Sequence, residues 1–427
     1  MIQVLGSSWA LLLGMFMLMV GNGIQGTLLG VRGDIEGFST FEMSLVMSAY
    51  FVGFLGGSWF TPQMIRNVGH VRVFAALASL ISAVMILYPA LTYWPLWVLG
   101  RVIIGFCFSG VYVTAESWLN NAADNSNRGK ALSVYMIVQM AGVVLAQYLF
   151  FGFDASGYAL FILASVLVSV SFAPILLSIS PTPAFGTAKR MSLTELIGVS
   201  PLGCMGMFLL GGVFAAQFGM AAVFGTTAGL TVAQISFFVS AFYIGALVAQ
   251  WPIGWLSDRI DRRKLILGMA SAGGAAALLG AVFWQSYPVL VIAALVVGGA
   301  SNPLYALLIA YTNDFLEHEN MAAASGGLVF INGVGAIAGP LLIGWLMAQT
   351  GPAGFFAFLT VLLVFLSAYA GWRMLRRPAG TPVEDTTPYA PVLATATPVA
   401  VEVAQEVYIE AELAEEAGQN DAATAAT

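Results

Sequence analysis

Charge is scarce in this sequence. Of its 427 residues, 8% are charged and 59% are hydrophobic, and the mean hydropathy is +0.88. A water-soluble chain carries roughly 25% charged residues. So few ions cannot cover a surface facing water, and the solvent for most of the chain is therefore hydrocarbon. Cysteine is almost absent: Cys107 and Cys204 each sit in an apolar run with no CxxC or Cys/His companion. That excludes a disulfide framework and a thiolate metal site and leaves two buried small hydrophobes. The two histidines, His70 and His318, read as solvated loop residues, remote from any nucleophile at membrane depth, which speaks against an enzyme. No Gly-rich phosphate-binding loop occurs, so ATP is not the direct energy source, and no cofactor or metal is implied. Beyond Arg377 there is no Lys or Arg, yet nine of the 21 carboxylates lie there. The net charge of −6 therefore belongs to the tail. Residues 1–377 hold fifteen bases and twelve acids, and no nucleic-acid partner is indicated.

What the sequence does have is long apolar runs. Spanning a bilayer takes about 20 such residues in a helix. Twelve candidates fit: 8–30, 43–65, 71–90, 95–119, 131–152, 157–180, 202–224, 232–256, 265–284, 288–312, 322–348 and 352–374. The first lacks a small-residue cleavage site and reads as a span, not a secretory signal. Basic residues mark the inner loops. With the N-terminus inside, thirteen of the fifteen bases fall in inner segments, at Arg66 and Arg72, Arg128 and Lys130, Lys189 and Arg190, Arg259 to Lys264, and Arg373 to Arg377. Arg32 and Arg101 are the exceptions. The expectation is an all-α integral membrane protein of a bacterial inner membrane, multi-pass and monomeric, with both termini cytoplasmic.

The two halves repeat. Shifted by 192 residues, Gly14-Met15-Phe16 falls on Gly206-Met207-Phe208, Gln25 on Gln217, and Gly53 on Gly245. Shifted by 193, Tyr112 falls on Tyr305, Asn120 on Asn313 and Gln139 on Asn332. A constant offset through several helices argues for two pseudo-symmetric six-helix bundles about an axis along the membrane normal. The domains are then 1–180 and 201–377, joined by a cytoplasmic linker at 181–200. An acidic tail at 378–427, rich in Ala, Thr, Pro and Glu, is expected to be disordered.

Between the eighth and ninth spans the chain reads Gly254-Trp-Leu-Ser-Asp258-Arg259-Ile-Asp261-Arg262-Arg263-Lys264. A carboxylate at a helix end can face a neighbouring helix N-terminus, and the arginines can hold a second carboxylate. Asp258 is expected to aim at the start of the fifth span, and Arg262 to find Asp314. In the corresponding loop of the first half, Arg66 stands where the carboxylate would be, which suggests a charge-swapped contact with Glu317 or Glu319. This loop resembles the signature loop of the major facilitator superfamily, with Asp261 where that family has Gly. The fourth span carries Arg101-Val-Ile-Ile-Gly105, then Tyr112 and Glu116. Burying ions in lipid is costly, so both should face the bundle interior or an aqueous cavity. Fifteen residues apart, they lie within roughly 60° of one face and roughly 22 Å apart along the axis, so they form no direct pair. Arg101-xxx-Gly105 resembles the superfamily's helix-4 motif, which implies a role in proton or substrate coupling. Together with Tyr112-Val-Thr-Ala-Glu116-Ser117, Asn125-Ser-Asn-Arg128-Gly129-Lys130 and Tyr135-Met136, it is similar to the superfamily's YcaD-like branch. That resemblance covers residues 1–375 and implies the fold and transport without naming a cargo.

The coupling and gating candidates are therefore Arg101, Glu116, Arg128, Asp258, Arg259, Arg262 and Asp314. Glu116 reads either as a proton acceptor or as a structural carboxylate bonded to Arg128 or to backbone amides. Asn22, Gln25, Tyr112, Gln139, Gln217, Asn302, Tyr305 and Asn332 are candidates for a substrate cavity, although interhelical hydrogen bonding would also explain them. Gln25 and Gln217 are the leading pair because the repeat makes them equivalent. Gly333 to Pro340 reads as a kinked, close-packing segment. The expected function is secondary, proton-coupled transport of a small solute. A uniporter or exchanger is the alternative, as is a carrier fold acting as a sensor or scaffold through the acidic tail.

Overall fold

The structure is a computed structural model that describes residues 2–122, 128–177, 191–257, 259–376, 389–392 and 396–404. Twelve of its helices are long and apolar enough to cross a bilayer. They are α1 (Trp9–Ile35), α2 (Thr40–Val68), α3 (His70–Ala90), α4 (Trp94–Leu119), α5 (Ala131–Phe151), α6 (Ala159–Leu176), α7 (Pro201–Thr227), α8 (Val232–Ser257), α9 (Arg262–Val282), α10 (Tyr287–Asn313), α11 (Ala323–Thr350) and α12 (Ala353–Arg376). Helices suit this solvent because each satisfies its backbone hydrogen bonds within itself. Their outward faces are apolar, with Val248, Trp251 and Val361 among the most exposed side chains.

The repeat reaches the corners of the chain. Gly37 and Gly229, 192 positions apart, both take a left-handed φ, +78° and +74°. Two residues on, Ser39 and Thr231 open α2 and α8 with matching caps. Glu42 N donates to Ser39 Oγ (3.2 Å), and Glu42 Oε2 accepts from Ser39 N (2.8 Å). Gln234 N donates to Thr231 Oγ1 (3.3 Å), and Gln234 Oε1 accepts from Thr231 N (2.9 Å). Reciprocal caps of this kind fix where a helix starts.

Inside each half the same helices touch through glycine. A Cβ at Gly53 or Gly105 would overlap the backbone of α4 or α2, and one at Gly245 or Gly298 the backbone of α10 or α8. Without side chains at these four points the helix pairs approach to backbone contact. Across the seam, α1 meets α7 at Gly30 and Ala222, and α2 meets α11 at Ser44 and Gly344. Ser48 Oγ donates to the Ile337 carbonyl (2.6 Å). These cross-seam contacts all lie toward the end opposite the chain termini.

Three local departures are invisible in the hydropathy. α6 is broken at Phe172, between helices Ala159–Ser171 and Ala173–Leu177. α7 contains a π-turn at Ala216–Met220. The linker contains a helix, Leu193–Val199, whose Leu196 packs on Gly327 of α11. Residues 178–190 of the linker lie outside the described residues.

The expectation of a disordered tail fails for two pieces. Residues 389–392 and 396–404 are largely buried, with Val401 and Ala404 fully so. The loop reading of His70 is corrected as well: it is buried, and its Nε2 lies 3.0 Å from Ser117 Oγ. Cys107 and Cys204 are buried free thiols.

Candidate functional site

A cavity of about 970 Å³ lies along the seam between the halves. Its lining comes from α1, α2, α4 and α5 of the first half and α7, α8, α10 and α11 of the second. Seven of the eight expected polar residues reach it or its wall: Asn22, Gln25, Tyr112, Gln139, Gln217, Asn302 and Asn332. The eighth, Tyr305, does not. It is fully buried behind Phe214, the two ring centroids 5.8 Å apart in an edge-on arrangement.

Arg101 enters this cavity from α4. Its position, seven residues into a helix that starts at the end opposite the termini, puts it about 10 Å along the axis. Its side chain is 3% exposed. Nη1 donates to Gln25 Oε1 (2.9 Å) and Nη2 to Met47 Sδ (3.1 Å), and the guanidinium lies 4.8 Å from the Tyr50 ring centroid. Every one of these partners is neutral. Arg101 Nε has no hydrogen-bond partner among the described residues, while the Gln25 amide and the Tyr88 hydroxyl face each other. Beyond this cluster, Asn22 Nδ2 donates to the Tyr112 hydroxyl (3.2 Å). Across the seam, Gln217 Nε2 donates to Ser301 Oγ (2.8 Å). Gln217 sits in the π-turn of α7, and π-turns favour functional positions because the extra residue re-aims neighbouring side chains. Asn332 serves partly as a strut: its Nδ2 donates to the Met207 carbonyl (2.9 Å). Aromatic rings form much of the apolar wall, with Phe218 stacked between Phe214 (5.7 Å) and Tyr243 (5.4 Å).

Glu116 lies near the termini end of α4, also 3% exposed. The structure adds a partner that sequence reasoning missed. Thr397 of the tail donates to Glu116 Oε2 through its hydroxyl and through its backbone N (3.3 Å). The Tyr135 hydroxyl donates to Oε1 (3.4 Å). No cation pairs with Glu116 among the described residues, and the Arg128 side chain lies outside them. Around this contact the tail occupies the cavity mouth. Ala396, Pro398, Val399 and Glu402 line it together with Arg66, Met191 and Leu193. Further out, Tyr389 rests on Gly254 and accepts a hydrogen bond from Gln250 Nε2 (3.0 Å).

Of the contacts expected between the eighth and ninth spans, the one between Arg262 and Asp314 is present. Arg262 Nη1 and Asp314 Oδ1 are 2.5 Å apart and both side chains are nearly buried. Asp261, where the signature has glycine, caps α9 by accepting from Arg263 N (2.9 Å) and pairs with Arg263 Nη2 (2.7 Å). Partial burial raises its carboxyl pKa, but the hydrogen bonds from Arg263 outweigh that and hold it below the usual range. Arg259 bonds its own helix, donating to the Trp255 carbonyl (2.9 Å) and lying over the Trp255 ring. Arg66 Nη2 donates to Gln63 Oε1 (2.8 Å) rather than to Glu317, and the Glu319 side chain lies outside the described residues. Asp258 lies outside the described residues.

With this geometry in view, the comparisons agree. A family model described as Major Facilitator Superfamily matches residues 11–225 and 202–404. A protein of Salmonella heidelberg described as an uncharacterized MFS-type transporter, YcaD, is 26% identical over 343 residues, covering 79% of this chain and 88% of its own length. The YcaD of Escherichia coli O17:K52:H18 is 26% identical over 341 residues, with the same coverage. Among solved structures, the nucleoside transporter NupG superposes with a TM-score of 0.67 at 15% identity, over 86% of this chain and 98% of its own. A bacterial homolog of the human lysosomal transporter Spinster, in an inward-facing conformation, gives 0.64 at 14%, over 95% and 98%. These two likenesses show the fold.

Proposed function

The chain belongs to the major facilitator superfamily, and on that premise we propose that it carries a small solute across a bacterial inner membrane by alternating access, driven by protons. One observation carries this reading. The cavity runs along the seam of two quasi-equivalent halves, closed at one end by α1–α7 and α2–α11 and lined toward the other by loop and tail residues. A site on such a seam can be exposed to either face by rocking one half against the other.

The basic loops put the termini end in the cytoplasm. The cavity is then directed inward, and the Arg262–Asp314 pair sits at the cytoplasmic ends of α9 and α10. Glu116, buried and held by neutral hydroxyls, is the proton carrier in this reading, and Gln25 and Gln217 face the cargo from equivalent positions.

The test has two stages. Purified protein is screened for thermal stabilisation by a metabolite library, and each hit is then assayed in proteoliposomes with and without a pH gradient. Gradient-dependent accumulation is expected. Equilibration without accumulation would make the protein a uniporter or exchanger. No movement of any hit, together with a cellular phenotype abolished by deleting residues 379–427, would make it a scaffold or sensor.

A further inference from the structure

We propose that the cargo is an organic anion, and that Arg101, at the cavity wall, is the subsite for its acidic group. The inference rests on the transport reading and narrows it. A buried guanidinium needs a counter-charge: an ion taken out of water into a low-dielectric interior is strongly disfavoured unless it is paired. Arg101 is buried at the closed end of the cavity, and its described partners are an amide oxygen, a thioether and a ring face. Among the described residues no carboxylate approaches it, and Arg101 Nε has no hydrogen-bond partner. A carboxylate or similar oxyanion supplies what is missing, negative charge and several acceptor lone pairs.

The rest of the cavity constrains the body of the ligand. Arg66, Arg101 and Glu402 are the charged side chains in the lining; the other two lie at the termini end, on α2 and the tail. Between them the walls are mostly rings and aliphatic chains, with Phe51, Phe54, Phe214, Phe218 and Tyr243 prominent. This favours one acidic group on an apolar or aromatic body over a polyanion.

The test uses purified full-length protein and a panel of monocarboxylates (phenylacetate, indole-3-acetate, octanoate, benzoate), each with its neutral amide and corresponding amine. At least one carboxylate should raise Tm in a concentration-dependent way, while its amide and amine do not. Arg101→Gln should weaken that carboxylate about tenfold or more, the loss expected for a charge-assisted hydrogen bond, and Arg101→Lys should weaken it less. Ligand-free Arg101→Gln should melt no lower than wild type, since it loses an uncompensated charge; a large drop would mark Arg101 as structural and overturn the proposal. So would stabilisation by amides or amines alone, or by no carboxylate at all. Proteoliposome transport of a neutral or cationic solute would overturn the anion subsite while leaving the transport reading intact.

A separate observation carries a second inference: the tail is a self-docking plug. Pro398, Val399 and Glu402 line the cavity mouth, Thr397 holds Glu116 of the first half, and Tyr389 holds Gln250 of the second. One peptide thus bridges both halves at the end that must close for the cavity to open elsewhere. In a chain with Cys107 and Cys204 replaced by Ala and a cysteine at cavity-lining Ser58, truncation after Arg376 should speed labelling by a bulky maleimide severalfold. A synthetic peptide of residues 389–404 should slow it again. An unchanged labelling rate after truncation would overturn the plug, with correct folding checked by Tm.

Discussion

At the scale of single residues, the Arg262–Asp314 pair and Glu116 illustrate two uses of buried charge. Removing one member of a nearly buried ion pair strands the other, at a cost of about 3–5 kcal/mol. Arg262→Ala and Asp314→Ala are each expected to lower Tm by several degrees, and the double variant by less than the sum of the two; strict additivity would show that the pair is not coupled. Glu116→Gln keeps the size and one of the two accepting oxygens but removes the titrating group. In proteoliposomes it should abolish accumulation driven by a pH gradient while leaving solute counterflow. Retained accumulation would place the proton elsewhere. An ion inside an apolar run must have a reason, which singled out Arg101 and Glu116, while the charged loop between the eighth and ninth spans pointed to Arg262 and Asp314. Sequence spacing could not find Thr397, whose contact with Glu116 joins residues 281 positions apart. Nor could it see that Arg259 and Arg66 turn back onto their own helices, since long flexible side chains choose among nearby acceptors only in the folded state.

At the scale of helices, glycine sets the spacing. Gly105→Ala places a methyl group in the path of the Tyr50 carbonyl of α2, and Gly298→Ala meets Phe242 of α8 in the same way. Both are expected to lower Tm clearly, since the obstacle is backbone. Gly268 of α9 has nothing within 4 Å of a would-be Cβ. Gly268→Ala should therefore stabilise, by about 0.5–1 kcal/mol from helix propensity. If all three variants behave alike, close packing is not what these glycines provide. The helices themselves were legible: length and hydropathy gave twelve spans to within a few residues at most ends. The π-turn in α7 and the break in α6 were not, because in an all-apolar stretch nothing in the periodicity marks a change of helical pitch.

At the scale of the whole molecule, the repeat was the strongest signal in the sequence, and the paired corner glycines and caps at Gly37–Ser39 and Gly229–Thr231 give it a structural basis. Orientation belongs to this scale too. Asp154 lies in the exposed α5–α6 connection, its carboxyl held below the usual range by hydrogen bonds from Ser156, and Lys264 lies at the opposite face. In intact cells, a membrane-impermeant maleimide should label Asp154→Cys but not Lys264→Cys, in the Cys107→Ala, Cys204→Ala background. The reverse pattern would invert the topology. What composition misjudged was the described part of the tail, residues 389–392 and 396–404. Its Ala, Thr, Pro and Glu content signals disorder when no partner is considered, and here the partner is the chain's own interior.

The closed end of the seam includes glycine against alanine, serine against glycine, and one serine hydroxyl on a carbonyl. Such polar links between membrane helices average about 0.6 kcal/mol, whereas the glycine contacts within each half join backbone to backbone. In the proposed rocking cycle these seam contacts are the ones that the bound solute and its proton must together undo.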